Sequence, residues 1–300
     1  MDTPLEPYVR SDGEPIAAAS INTMTVAERV AFTRTPFHHR LRVLAGTYVS
    51  YFWWMEPPLR SPFIHCVSDP TPRNGSILFL NFDGRLFGVT AAHVYRGYLA
   101  SMQKFGRMIC NIGHYAFDPQ ACLVSIGDEK FGVDIATFSL PSDALAQIGR
   151  KQALNASKDS WPPPHPFSDQ GVFFAGYPGP SKIWIDRDKF SLGVYIASQP
   201  IGSASDRQLS MPFSREHWID SSGLGLPPEG YDLGGISGGP VLMPFEQKGE
   251  WSMQLAGVIS EARCGRGYES VIATPAHFIG SDGTVNSNLS APIRFAERAS

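Results

Sequence analysis

Three consecutive prolines inside Trp161-Pro162-Pro163-Pro164-His165-Pro166 constrain this chain more than any other feature. Proline has no amide hydrogen for a ladder and fixes φ near −65°, so such a run stiffens toward polyproline II and cannot lie inside a sheet. The chain is therefore expected to fold as one half before the run and another after it. Both halves consist of short apolar runs broken by turn residues. Before the prolines the expected strands are 77–82, 86–90, 107–112, 121–126 and 135–140, and Asp83-Gly84 between the first two is a hairpin signal. After them come 172–175, 182–185, 192–198, 241–243, 253–260 and 270–273. Tyr51-Phe52-Trp53-Trp54-Met55 reads as a further strand packed on the first set. The pattern predicts an all-β fold of two antiparallel barrels with roughly six strands each.

The expected organisation is an N-terminal extension over 1–45, a first β-barrel over 46–140, a Pro-rich linker over 141–170, a second β-barrel over 171–280 and a tail over 281–300. A capping box at Thr25-Val26-Ala27-Glu28 predicts a short helix around 25–34 in the extension. A short helix is expected early in the linker, and another at Pro275-Ala276-His277-Phe278-Ile279-Gly280, where glycine closes the second half. Pro36-Phe37-His38-His39-Arg40 reads as a solvated turn, because no third ligand is suitably spaced for its histidine pair to hold a metal.

Composition removes several classes of function. The 25 basic and 28 acidic residues leave a net charge of −3, without the basic excess of nucleic-acid or anionic-membrane surfaces. Neither nucleic acid nor a membrane is expected as a partner, and no stretch approaches the ~18 apolar residues of a membrane-spanning helix. The first residues, Met1-Asp2-Thr3-Pro4-Leu5-Glu6-Pro7, contain no apolar core of a signal peptide. Cys66, Cys110, Cys122 and Cys264 form no CxxC, so reduced thiols and a cytoplasmic location are expected. His65 and His114 do not complete a zinc signature with these cysteines, and neither metal nor organic cofactor is expected.

Three stretches carry chemistry. Thr90-Ala91-Ala92-His93-Val94 follows the predicted hairpin, Val133-Asp134-Ile135-Ala136 brings a carboxylate into a strand, and Gly234-Gly235-Ile236-Ser237-Gly238-Gly239-Pro240 embeds a serine in glycines. A serine hydroxyl becomes a nucleophile when a neutral imidazole takes its proton, and the imidazole needs a carboxylate to fix its tautomer. Attack on a carbonyl creates an oxyanion that needs inward-pointing N–H groups. Glycines flanking the serine permit the dihedrals that turn successive amides toward one point.

In the order His, Asp, Ser, these stretches resemble the trypsin/chymotrypsin-like serine peptidases, whose signatures read TAAH and GDSGGP. The resemblance covers roughly residues 70–280 and implies a serine endopeptidase acting on protein or peptide substrates. It implies His93 as general base, Asp134 as its orienting partner, Ser237 as nucleophile, and the amides of Gly235 and Ser237 as oxyanion hole. Leu255–Ser260 resembles the strand that binds substrate backbone, with Ser260 then bonded to the catalytic aspartate. Tyr231 falls at the floor of the substrate pocket with Asp232 beside it. An Asp floor favours Lys or Arg, a Tyr floor a shallow apolar pocket, and a one-residue slip decides between them.

Departures from the family pattern carry their own implications. Ile236 stands where secreted members have the aspartate that pairs with a newly cut N-terminus, so that mode of activation is not expected. Val94 and Leu233 replace disulfide cysteines, which points to an intracellular, bacterial-type branch. The extension and the loops at 99–107, 157–168 and 203–232 are then candidates for gating, and a regulatory protein partner is a further expectation. Two rival readings remain. Gly235-Ile236-Ser237-Gly238-Gly239 also fits the G-x-S-x-G elbow of α/β-hydrolases, although Gly238-Gly239-Pro240 would break the helix that elbow needs. The other is a catalytically silent or latent scaffold of the same fold that binds proteins.

Overall fold

Asp83 and Gly84 both take positive φ, 50° and 89°, the signature of a tight two-residue hairpin turn whose twist matches its strands. They join the central pair of the first sheet in a computed structural model that describes residues 26–56, 72–149, 151–157, 161–186, 189–213, 228, 230–247, 250–265 and 268–290. The strands before the proline run are β1 (Val49–Met55), β2 (Arg73–Phe82), β3 (Arg85–Thr90), β4 (Ile109–Ile112), β5 (Tyr115–Ala116), β6 (Leu123–Ile126), β7 (Ala136–Leu140) and β8 (Leu154–Ala156). They form an eight-stranded sheet in the order β5-β4-β1-β2-β3-β7-β6, with β8 parallel to β2.

After the prolines come β9 (Gly171–Gly176), β10 (Lys182–Asp186), β11 (Lys189–Leu192), β12 (Tyr195–Pro200), β13 (Ser203–Ala204), β14 (Leu209–Phe213), β15 (Pro240–Gln247), β16 (Glu250–Gly265) and β17 (Tyr268–Pro275). Seven of these make an antiparallel sheet in the order β12-β9-β15-β16-β17-β14-β13, and β10 with β11 forms a separate ribbon. The chain is thus mostly β, in two half-barrels. The expected six strands per half become eight and seven, and one pairing is parallel. The extra strands are short, as in β5, β8 and β13, or carry a proline, as in β14. In β1, which the sequence already marks as a strand, both faces are apolar. Phe52 and Trp54 join the core with Ile77 and Phe138, while Val49, Tyr51 and Trp53 join another with Tyr177 and Phe190.

Among the described residues, five helices decorate the sheets: α1 (Val26–Thr33), α2 (Pro36–Thr47), α3 (Ala92–Phe105), α4 (Pro119–Cys122) and α5 (Ala144–Ile148). α2 corrects the solvated turn expected at Pro36–Arg40. Thr35 caps it by accepting from the His38 amide, Pro36 opens it, and His38 is only 2% exposed. The His38 Nε2 meets the Ser198 hydroxyl at 2.8 Å on β12, which ties the extension to the second sheet. Likewise α3 replaces the loop expected over 99–107. Val94, Tyr95, Tyr98 and Ser101 bury one face of it, and Gly106 ends it at φ 78°. The C-terminal helix is a single 3-10 turn, Ala276–Phe278. Beyond it the chain returns to the first sheet, where the Gly283 carbonyl accepts from the Thr137 hydroxyl at 2.6 Å. No helix among the described residues is long and apolar enough to cross a membrane.

Candidate active site

β3 runs straight into α3, so His93 sits in the first turn of a helix rather than at a strand end. Its imidazole is about half exposed at the mouth between the sheets, with a side-chain exposure of 47%. Asp134 reaches it from the turn before β7. That turn is shaped by Asp128, which caps Glu129–Phe131, and by Gly132 at φ 68°. The Asp134 carboxylate grips His93 twice: one oxygen accepts from the backbone amide at 2.8 Å, the other lies 2.6 Å from Nδ1. A carboxylate at Nδ1 holds the proton there and leaves Nε2 with its lone pair free to act as a base. The Asp134 amide donates to the Thr274 hydroxyl of β17 at 3.4 Å, linking the pair to the second sheet.

The serine loop Gly234–Pro240 is shaped by close approaches that only glycine permits. Gly235 has φ 103°, and a Cβ there would lie 2.5 Å from the Asn74 amide nitrogen; Gly238 has φ 89°, and its Cβ would lie 2.1 Å from both the Ser76 carbonyl and the Thr90 hydroxyl. Ile236 is 1% exposed in the core of the second half. The Ser237 hydroxyl donates to the Ser260 carbonyl at 3.4 Å, and among the described residues no hydrogen bond joins it to His93. Ser260 is the extra residue of a β-bulge. The β16–β17 register passes from Ile259↔Ala273 to Glu261↔Ile272, which frees the Ser260 carbonyl from the ladder.

Backbone accounting across the loop isolates two amides. The Gly234 carbonyl accepts from Gly179 at 2.7 Å, the Ile236 amide donates to Leu233 at 3.1 Å, the Ile236 carbonyl accepts from Gly239 at 2.9 Å, and the Gly238 amide donates to Ile259 at 2.7 Å. The Gly235 and Ser237 carbonyls are taken by Ser76. Among the described residues, only the Gly235 and Ser237 amides in this stretch donate to no protein acceptor. Trans peptides hold N–H and C=O in opposite directions, so anchoring the Gly234 and Ile236 carbonyls also aims these two donors.

The Ser260 hydroxyl donates to the Ile272 carbonyl at 3.2 Å, not to Asp134, because the bulge turns its side chain back onto β17. The Tyr231 ring stacks on Tyr195, with centroids 6.5 Å apart. Burial pushes its phenol above the usual range, with a smaller push from Asp232. The Asp232 carboxylate accepts from the Gly234 amide at 2.7 Å and so shapes the serine's own loop. Beside Ser260, Glu261 is held below the usual carboxylate range by hydrogen bonds from Arg263, with a further contribution from nearby His93. Among the described residues no group of three His, Cys, Asp or Glu side chains could hold a metal; His65 and Cys66 lie outside them. Cys110 and Cys122 are free thiols, and burial raises both.

No protein-family model matches the chain, and no curated protein matches it. Among solved structures, the chain is similar to the thermostable serine protease AL20 from an extremophilic microorganism, at 10% identity and a TM-score of 0.40, over 78% of this chain and 93% of that one. It is also similar to the protease Anisep from Arthrobacter nicotinovorans, at 11% identity and a TM-score of 0.39, over 77% of this chain and 90% of that one.

Proposed function

We propose that the chain is a serine endopeptidase of the trypsin/chymotrypsin-like type, hydrolysing protein or peptide substrates through an acyl-enzyme. The observation that carries this reading is the double grip of Asp134 on His93, beside a serine loop that packs on the start of the His93 helix, where a Cβ on Gly238 would lie 3.0 Å from the Ala91 amide nitrogen, and whose two unpaired amides are those of Gly235 and Ser237. His93 takes the Ser237 proton as Oγ bonds to the scissile carbonyl carbon, and the Gly235 and Ser237 amides receive the oxyanion. Collapse breaks the C–N bond, and the same proton passes from His93 to the departing amine. Water, deprotonated by His93, then releases the acyl group and restores Ser237. None of these steps calls for a metal or organic cofactor. Tyr231 and Ser260 are the proposed substrate contacts, the latter through the bulged strand that flanks Ser237.

We place the reaction in the cytoplasm, in a bacterial-type intracellular branch of the family. The free thiols of Cys110 and Cys122 support a reducing setting, and the burial of Ile236 supports a serine loop that needs no ion pair. The proposed unit boundaries are those of the sequence reading, with 46–140 contributing His93 and Asp134 and 171–280 contributing Ser237.

One observation favours the second reading, a latent or silent scaffold that binds proteins. The Ser237 hydroxyl bonds to Ser260 and not to His93. Rotation about one side-chain torsion redirects a serine hydroxyl, and catalytic hydrogen bonds often tighten only when substrate arrives. Cleavage of a casein panel separates the two. Wild-type protein is expected to cut, and Ser237→Ala to lose about 10⁴–10⁶-fold in turnover while staying folded. Equal rates for the two proteins would remove the peptidase reading.

A further inference from the structure

Ser76 lies on β2 in the first half, far in sequence from the serine loop, yet it is fully buried and every polar group it has is used at the junction. Its amide donates to the Ser237 carbonyl at 2.8 Å. Its hydroxyl donates to the Gly235 carbonyl at 2.9 Å and accepts from the Tyr177 amide at 2.9 Å. Its carbonyl accepts from the Thr90 hydroxyl at 2.6 Å, three residues before His93. One residue therefore touches the peptide after each oxyanion donor, the strand that leads to the base, and β9 beneath the loop.

We propose that Ser76 is the positioning residue of the oxyanion hole, its hydroxyl fixing the Gly235-Ile236 peptide, the link between the two donor-bearing peptides, so that the Gly235 and Ser237 amides keep converging on the reacting carbonyl. The inference rests on the serine-peptidase reading of the same site. The Gly235-Ile236 peptide is held at one end by the Leu233 carbonyl, a bond within the loop itself. At the other end the Ser76 hydroxyl ties it to a different sheet. Without that tie, φ 103° at Gly235 leaves a glycine that can rotate, since no side chain restricts it. Burial makes the tie selective as well: a carbonyl left unpaired in a dry site seeks another donor, and a peptide flip supplies one. Asn74, two residues earlier on the same strand, supports the platform by donating to the Tyr177 carbonyl at 2.7 Å.

Ser76→Ala tests the assignment, because it removes the hydroxyl and leaves the backbone bond to Ser237. Fluorophosphonate labelling of Ser237 and the kcat and KM of a peptide substrate are measured well below each variant's melting temperature. The expected result is a fall of about 10- to 100-fold in kcat and in labelling rate, with KM within about threefold of wild type. Ser76→Cys, which keeps the volume with a poor donor, is expected to fall between the two; it carries the same test if the Ala protein does not fold. Ser76→Ala labelling and turning over at wild-type rates, or losing only melting temperature, overturns the assignment while the peptidase reading stands. Failure of wild-type protein to label at all overturns that reading and the assignment with it.

Discussion

A Cβ added to Gly176 would lie 2.7 Å from the Cβ of Ile236, so the residue immediately before Ser237 is pressed onto the end of β9. The serine loop is thereby anchored through apolar packing. Ile236→Asp would place a charge in the apolar cluster with Val172, Phe174, Leu233 and Val241. It is expected to cost about 3–5 kcal/mol of unfolding free energy, measured by urea titration at neutral pH, and to abolish labelling of Ser237. A fully active Ile236→Asp protein would contradict the packing account.

Asp134→Asn and Asp134→Ala should separate the two bonds that the carboxylate makes. The amide variant can still accept from the His93 backbone but favours the wrong imidazole tautomer, so kcat is expected to fall by about 10⁴-fold with little loss of stability. The alanine variant also leaves the His93 amide at the start of α3 without its acceptor. An additional loss of about 1 kcal/mol is expected in parallel urea titrations.

Gly238→Ala is expected to destabilise more than most core truncations. The added methyl meets the Ser76 carbonyl and the Thr90 hydroxyl at 2.1 Å, on a backbone already at φ 89°. Roughly 3 kcal/mol or more is expected, checked by thermal and urea melts. Gly84→Ala, at φ 89° with nothing within 4 Å of the new methyl, should cost only about 1 kcal/mol.

Sheet-forming runs were legible wherever one face was apolar or a turn was explicit, as at Asp83-Gly84. α3 was not, because Thr90-Ala91-Ala92-His93 looks like the end of β3. The buried spacing of Val94, Tyr95, Tyr98 and Ser101, closed by Gly106, was the available signal. α2 is announced by Thr35-Pro36, a cap followed by a first-turn proline, but the polar stretch Pro36–Arg40 with its two histidines reads equally as a solvated turn. β14 carries Pro212, which argues against a strand, and it survives beside the short β13 near the sheet edge. His93, Asp134 and Ser237 could be read from local motifs because each lies in a short characteristic stretch. Ser76, Thr90 and Thr274 could not: a hydroxyl in an apolar run gains its meaning only from what folds against it.

Burial gives the fold an acid limit. His38 is held down to about 4, first by desolvation and then by Arg42 and His39, and His277 also sits near 4, chiefly through burial. Unfolded histidine binds its proton near 6.5, so between that value and 4 the unfolded chain takes up protons that the folded chain refuses. Stability is therefore expected to be full above pH 6.5 and to fall as pH drops toward 4, by about 3 kcal/mol for His38 alone. Urea midpoints measured at pH 7, 5.5 and 4.5 check this; a midpoint that rises on acidification contradicts it.

The most direct test of the account is intact-mass analysis after treatment with a fluorophosphonate at neutral pH, followed by peptide mapping. One phosphonyl adduct on Ser237 is expected in wild-type protein, with none in Ser237→Ala and a drastic slowing in His93→Ala. A folded wild-type protein that gains no mass, or gains it at another serine, contradicts the claim that His93 and Asp134 activate Ser237.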